Sequence, residues 1–395
     1  MAALQLAIAA DDPKPAARAS LERIQNVRKE RPNDGVLAFY EAIVHIRLGE
    51  RDAAFALLRS LRGRKLGLIP GRDAGFDGVW DDSDFQKIRS ELSEDEPRTP
   101  DAPVAFRLPD PKLIPEGIAY DPKHDRFFLG SLAKRKIIVT NGKGDVRDFS
   151  NSADNLQCVL GLTVDEKHGH LYAVTTNGFL DEAKTARRNA VVRYDLETGR
   201  LRDRFAAPDA MQLNDIALSP DGTLYATDSM SGTVFRKMPD EATLTRFGEK
   251  GALRGANGIA LSDDGVLYVT LSTGIARVDT KSGEPTRLAQ PDDVVTGGID
   301  GLYWHERDLL GIQNSTNPGR VVRITLADNG TRIAGLTVLQ SHHHPEFAEP
   351  TTGTIAHGAF NVIANSYVGH YQPDGSIKDA GQLKGTAVIA VPLKR

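Results

Sequence analysis

Six short segments of this 395-residue chain open in the same way, and four of them open on an oxygen-bearing side chain. They are EGIAYD from Glu116, LGLTVD from Leu160, NDIALS from Asn214, NGIALS from Asn257, DGLYWH from Asp300 and TGTIAH from Thr352. A single Asn-Asp or Asn-Gly pair is an ordinary strand-start turn. Four oxygen residues at one repeat phase, with Leu160 and Thr352 at the other two, point instead to a ring. Two carboxylates and two amide oxygens at one point suit a hard divalent cation. Calcium fits best, since it takes about six to eight oxygen donors without strict geometry; zinc, magnesium and manganese are the alternatives. Glu116 and Asp300 supply charge, and Asn214 and Asn257 supply neutral oxygens.

Those positions converge only if the elements carrying them are arranged around an axis. The openings are spaced 44, 54, 43, 43 and 52 residues apart, and each begins a short apolar strand. Most are followed by a turn and a second strand such as TLYATD or VLYVTL. Repeats of about 40–50 residues, each made of several short strands, are the mark of a β-propeller. The sequence thus predicts a mainly β protein with a six-bladed propeller over residues 104–395. A strand near Val104–Leu108 is expected to pair with the C-terminal TAVIAVPL, which completes one blade from both ends and leaves no free edge.

Ahead of the propeller, residues 1–95 read as a small helical domain and 96–103 as a charged, proline-rich linker. Ala2–Ala10 is apolar without a basic flank, a poor signal peptide, and is taken as a first helix. The compartment is left open between cytoplasm and periplasm. Helices are expected over 13–31, 35–48 and 52–61. The last two resemble a tetratricopeptide repeat, with Ala38, Gly49 and Ala53 at small-residue packing positions. One or two such repeats are too few to stand alone. They serve either as a structural cap or self-association element, or as a site for a protein partner.

The net charge of −4, with scattered Lys and Arg, gives no case for nucleic acid. Cys158, alone in the chain, excludes internal disulfides and cysteine-rich zinc sites, and reads as a buried strand residue. No run approaches the ~20 apolar residues of a membrane span.

The openings also carry a family resemblance. Pro115-Glu116-Gly117, Leu213-Asn214-Asp215-Ile216 with Pro220-Asp221-Gly222, Ala256-Asn257-Gly258-Ile259 and Asp300-Gly301 resemble blade motifs of one propeller family. It is the calcium-dependent senescence-marker-protein, gluconolactonase and luciferin-regenerating-enzyme family, related to paraoxonases and diisopropylfluorophosphatase. The resemblance implies a divalent metal and hydrolysis of lactones, esters or phosphotriesters. Phe347 to Thr352 (FAEPTT) and Ala364-Asn365-Ser366 look like features of bacterial members that join this propeller to a tetratricopeptide-like front. Two departures stand out. Gln212 occupies the position where gluconolactonases carry a sugar-holding arginine. Gly117 stands where paraoxonases carry an acid for a second calcium, although Asp215 matches the other half of that site. One metal, and a substrate other than a sugar lactone, are therefore implied.

Metal-assisted hydrolysis makes Asp300 the first candidate to activate water or attack directly, and Glu116 the second. A metal-bound carboxylate is a poor base, so the proton acceptor stays open. Loops after each second strand should line the pocket, giving Ser131, the segment 176–188, Ser229, Ser272, Asn314-Ser315, Ser366 and Tyr367. Leu160 gives the mouth an apolar wall, which favours a partly hydrophobic lactone or ester. His342-His343-His344 cannot all face one ion from an extended segment and reads as a pocket-edge or solvated loop. His357, five residues down its strand from Thr352, reads as a core histidine remote from the mouth. The rivals are a non-catalytic sensor or scaffold with a structural metal, and a propeller lyase, which would need a further acid or base.

Overall fold

The computed structural model describes residues 13–314 and 319–393; the Ala2–Ala10 helix and Ser315 lie outside them. Four α-helices come first: α1 Pro13–Glu30, α2 Gly35–Leu48, α3 Arg51–Ser60 and α4 Ser83–Glu94. Pro32 follows the end of α1. Asp34 caps α2, its side chain accepting from Leu37 N at 3.1 Å, and Gly49 closes α2 in the left-handed region at φ 78°. The helices share an aromatic core in which Phe76 lies 5.4 Å from Phe39 and 5.5 Å from Phe85. Ala42 and Ala54 are the small residues packed there. Ala38 is buried as expected, but Gly49 and Ala53 are exposed, because the register of α3 turns Ala54 inward instead. Among the described residues no helix is long and apolar enough to cross a membrane.

Six four-stranded antiparallel sheets follow, and they form a six-bladed β-propeller. The innermost strands, in blade order, are Pro115–Asp121, Cys158–Asp165, Leu213–Leu218, Ile259–Leu261, Ile299–His305 and Gly353–Ala356. Their apolar residues pack between neighbouring blades; Cys158, for instance, is fully buried. Blade six closes the circle as expected. Val104–Arg107 pairs with Ala387–Pro392, with Val104 opposite Ile389, and the sheet continues through Ala359–Ile363 to the inner Gly353–Ala356. Each sheet thus meets a neighbour on both sides without an open stack end.

The helices pack on the loops that lead into the inner strands of blades five and six. Val295, five residues before Asp300, joins the helical aromatic core. The Arg320 guanidinium is buried there, bonded to both carboxylate oxygens of Glu96 at 2.9 and 3.0 Å and to Leu66 O at 2.7 Å. Asn33 donates to Asp292, and Arg64 to the Asp292 carbonyl, each at 2.9 Å. His342 and His344 are buried in this junction, which corrects the reading of a solvated or pocket-edge loop. His342 lies 3.0 Å from Ser93 Oγ of α4, and His344 lies 2.9 Å from Ala102 O. Burial above all, with His343 and nearby arginines, pushes the His342 imidazole down to about 4, so it serves here as a neutral hydrogen-bonding group. His357 is not a core residue either. It is exposed in the turn after Gly353–Ala356, at φ 54°, bonded to Asp125 at 2.7 Å at the end of the blade away from the mouth.

Candidate metal centre

The six opening residues form a closed ring, linked blade to blade. Thr351 and Thr352 of blade six both donate to Glu116 O of blade one. Gly117 sits against Leu160 O of blade two, and Gly161 against Asn214 O and Asp215 of blade three. Thr227 of blade three donates to Asn257 O of blade four at 2.6 Å. Gly258 abuts Asp300 O of blade five, and Gly301 N donates to Thr351 O at 3.3 Å.

Two local features aim the side chains. The inner strands of blades one, two, three and five each carry a β-bulge at the ring residue: between Pro115 and Gly117, Val159 and Leu162, Leu213 and Ile216, and Ile299 and Leu302. A bulge puts two residues opposite one and re-aims the extra side chain. Asn257 and Thr352 instead stand just before their strands begin. The second feature is the residue that follows. It is glycine in five blades, and a Cβ would lie 2.0 Å from Leu160 O at Gly117 and 2.1 Å from Asp300 O at Gly258. The blades can close on the axis only because nothing projects there. Blade three departs from this with Asp215.

The polar atoms of the ring are arranged unevenly. Asn214 Nδ2 donates to Ser229 Oγ at 2.9 Å, and the Asn257 side chain lies near enough to Asp300 to favour its ionised form. The Asn214 amide nitrogen is thereby engaged, which leaves its oxygen as a donor toward the axis. Asp300 Oδ2 also accepts from Asn314 Nδ2 at 2.6 Å. Glu116 is 5% exposed, and its Oε2 is buried with no hydrogen-bond partner. Burial holds the Glu116 carboxyl well above the usual range, and the charges of Asp300 and Asp215 add to the shift. Asp215 is pushed up to about 7 by burial, against the pull of the Ile216 and Ile259 amides and with the help of Asp300. Asp300 is raised by burial, moderated by Asn314 and Asn257. Three carboxyls share one dry centre, and their charged forms are mutually unfavourable.

The residues present fit a hard cation. The orphaned Glu116 oxygen and the two amide oxygens are the donors such an ion takes. Among the described residues, no group of three or more His, Cys, Asp or Glu side chains could hold a metal by itself. A cation here therefore depends on the asparagines.

Around the ring, Leu160 belongs to an apolar cluster against which Phe179 and Tyr367 pack. Gln212 is 5% exposed, its backbone N–H held by Asp228 at 3.1 Å and its Oε1 buried without a partner. Asn314 bridges Asp300 and the Pro350 carbonyl. The hydroxyls of Ser131 and Ser366 both donate to backbone, to Leu113 O and Pro115 O. These two serines hold the loops of blades one and six in place. Ser229 supports Asn214. Glu349, within the FAEPTT segment, stands outside the repeat phase, and the glycines that follow five of the ring residues have the structural role of letting the blades approach. That glycine signal was legible, as EG, LG, NG, DG and TG at one phase.

No family model matches the chain, and no curated protein matches it. Solved structures do. The PQQ-bound aldose sugar dehydrogenase of Streptomyces coelicolor matches with a TM-score of 0.52 at 16% identity, over 75% of this chain and 99% of that one. The fold is shared. A gluconolactonase of Xanthomonas campestris also aligns, at TM-score 0.49 and 17% identity over 75% and 99% of the two chains. Virginiamycin B lyase of Staphylococcus aureus aligns at 0.47 and 19%, over 67% and 82%. These likenesses concern architecture; a propeller does not choose its chemistry, and that choice rests with the side chains.

Proposed function

We propose that this chain is a calcium-dependent hydrolase of the lactonase or esterase type, with Glu116, Asn214, Asn257 and Asp300 as metal ligands. The observation that carries the reading is the partnerless, buried Oε2 of Glu116 in a centre shared with Asp300 and Asp215. A buried carboxylate without compensation costs several kcal/mol, and a divalent cation supplies that compensation. When bound, the ion polarises a carbonyl or phosphoryl oxygen and favours the charge that develops on it.

The chain's own residues do the rest. Ser229 fixes the Asn214 amide in the orientation that offers oxygen. Asn314 fixes the Asp300 carboxylate, which suits it to a ligand's role. Leu160, Phe179 and Tyr367 give the blade-two side an apolar wall that excludes water and favours a partly hydrophobic lactone or ester. Gln212 Oε1, buried and unpartnered, is an acceptor for a substrate hydroxyl or N–H.

The test is turnover of lactone, aryl-ester and phosphotriester panels by the purified chain, before and after chelation, with calcium added back. Loss on chelation and recovery with calcium is the expected result. No turnover in any class, with calcium still tightly bound, would replace the enzyme by a metal-stabilised sensor or scaffold.

A further inference from the structure

Glu349 belongs to none of the six openings, yet the chain delivers it beside them. Its neighbour Pro350 offers a carbonyl to Asn314 Nδ2 at 2.9 Å, and the same nitrogen holds Asp300 Oδ2 at 2.6 Å. One residue further, Thr351 accepts from Gly301 N at 3.3 Å and donates to Glu116 O at 3.1 Å. The peptide that carries Glu349 is thus tied to the blades of Glu116 and Asp300. A second loop fixes its head and its backbone: Glu349 Oε2 accepts from Gly369 N at 2.8 Å, and its carbonyl accepts from Ser366 N at 3.2 Å. Between those two contacts stands Tyr367.

The backbone pays for this placement. Glu349 has φ 66° and Tyr367 has φ 63°, both in the left-handed region that side chains with a Cβ avoid. Such residues are strained and persist where the surroundings enforce them, often at sites of chemistry. Burial raises the Glu349 carboxyl above its usual range, against the Gly369 amide and His370, and the charge of Asp300 adds to the rise. A carboxyl so placed is suited to exchanging protons near neutrality.

We propose that Glu349 is the general base of the hydrolysis, an inference that rests on the hydrolase reading above. Asp300 is held by the Asn314 amide and serves as a ligand, which leaves the proton to another group. As the water oxygen bonds to the ester carbonyl carbon, one water proton passes to the Glu349 carboxylate and the carbonyl π pair moves onto its oxygen. When that pair returns, the bond to the leaving oxygen breaks, and Glu349 gives its proton to the departing alkoxide. The products are the acid and the alcohol, or the opened hydroxy acid of a lactone.

Glu349→Gln keeps the size, the backbone and an oxygen for the Gly369 amide, and removes only the base. Glu349→Gly suits the left-handed backbone and leaves room for a small carboxylate. Both full-length variants and the wild type are assayed on the same three substrate panels, with formate titrated in, alongside calcium calorimetry and thermal midpoints. The expected result is a fall in kcat of about 100-fold or more in E349Q. KM and calcium affinity should stay within about threefold of wild type, and formate should restore E349G. Glu349 is excluded as base if E349Q turns over like the wild type, if formate rescues nothing, or if calcium affinity falls in step with kcat. An inactive wild type removes the hydrolase reading and the base with it, whereas an active wild type beside an active E349Q removes Glu349 alone.

Discussion

Asn214 and Asn257 decide what the ring can hold, because an amide is a donor at one end and an acceptor at the other. With the Asn214 nitrogen engaged by Ser229, its oxygen is left for the ring beside the unpartnered Glu116 oxygen. Linkage makes this measurable without any substrate. An ion that binds only the folded chain adds about 2.7 kcal/mol of stability at 100-fold excess over its Kd. Calcium titrated against chelated protein should therefore raise the wild-type thermal midpoint, and Asn214→Ala or Glu116→Gln should abolish most of that rise. An equal rise in wild type and both variants would place the ion elsewhere. At this scale the sequence revealed the four oxygens because they repeat at one phase. It could not reveal Glu349, which has no counterpart in other blades, or the exposed turn position of His357, which follows from where its strand ends.

The inner strands explain why the ring residues point where they do. Repeat spacing predicted each strand's presence and order, and the closing pair Val104–Arg107 with Ala387–Pro392 followed from the need to bury an edge. The bulges at Glu116, Leu160, Asn214 and Asp300 were not legible, since nothing in a strand's apolar pattern announces an extra residue. The glycine after five of the six ring residues is the sequence's trace of how closely the blades approach. Gly258→Ala tests it directly, because its Cβ would stand 2.1 Å from Asp300 O, a backbone atom with no rotamer to yield. The expected cost is about 1–3 kcal/mol in urea unfolding, together with weaker calcium binding as Asp300 is displaced. Unchanged stability and calcium affinity would mean that the blades approach less closely than this contact requires.

For the molecule as a whole, the sequence separated helices from propeller but could not say which face they cover, since contacts across more than 200 residues leave no periodic trace. The structure seats them on the loops that feed the ring. Arg320 pairs across its hairpin with Gln313, bonds its side chain at 2.8 Å, and is held on the other side by Glu96. Gln313 in turn anchors Val295 O and Gly297 O, and the next residue is Asn314, which holds Asp300. A run of polar contacts thus joins the helical segment to the candidate metal centre. Removing one partner of a buried ion pair leaves an uncompensated charge, at a cost of about 3–5 kcal/mol, whereas replacing both by apolar groups is often near neutral. Glu96→Ala should therefore lower the urea midpoint sharply, and Glu96→Leu with Arg320→Met should recover much of the loss. If the run also positions Asp300, Glu96→Ala will weaken calcium binding under conditions where the chain is still folded. A variant that loses stability yet binds calcium as the wild type does would show that the helices support the propeller without shaping its centre.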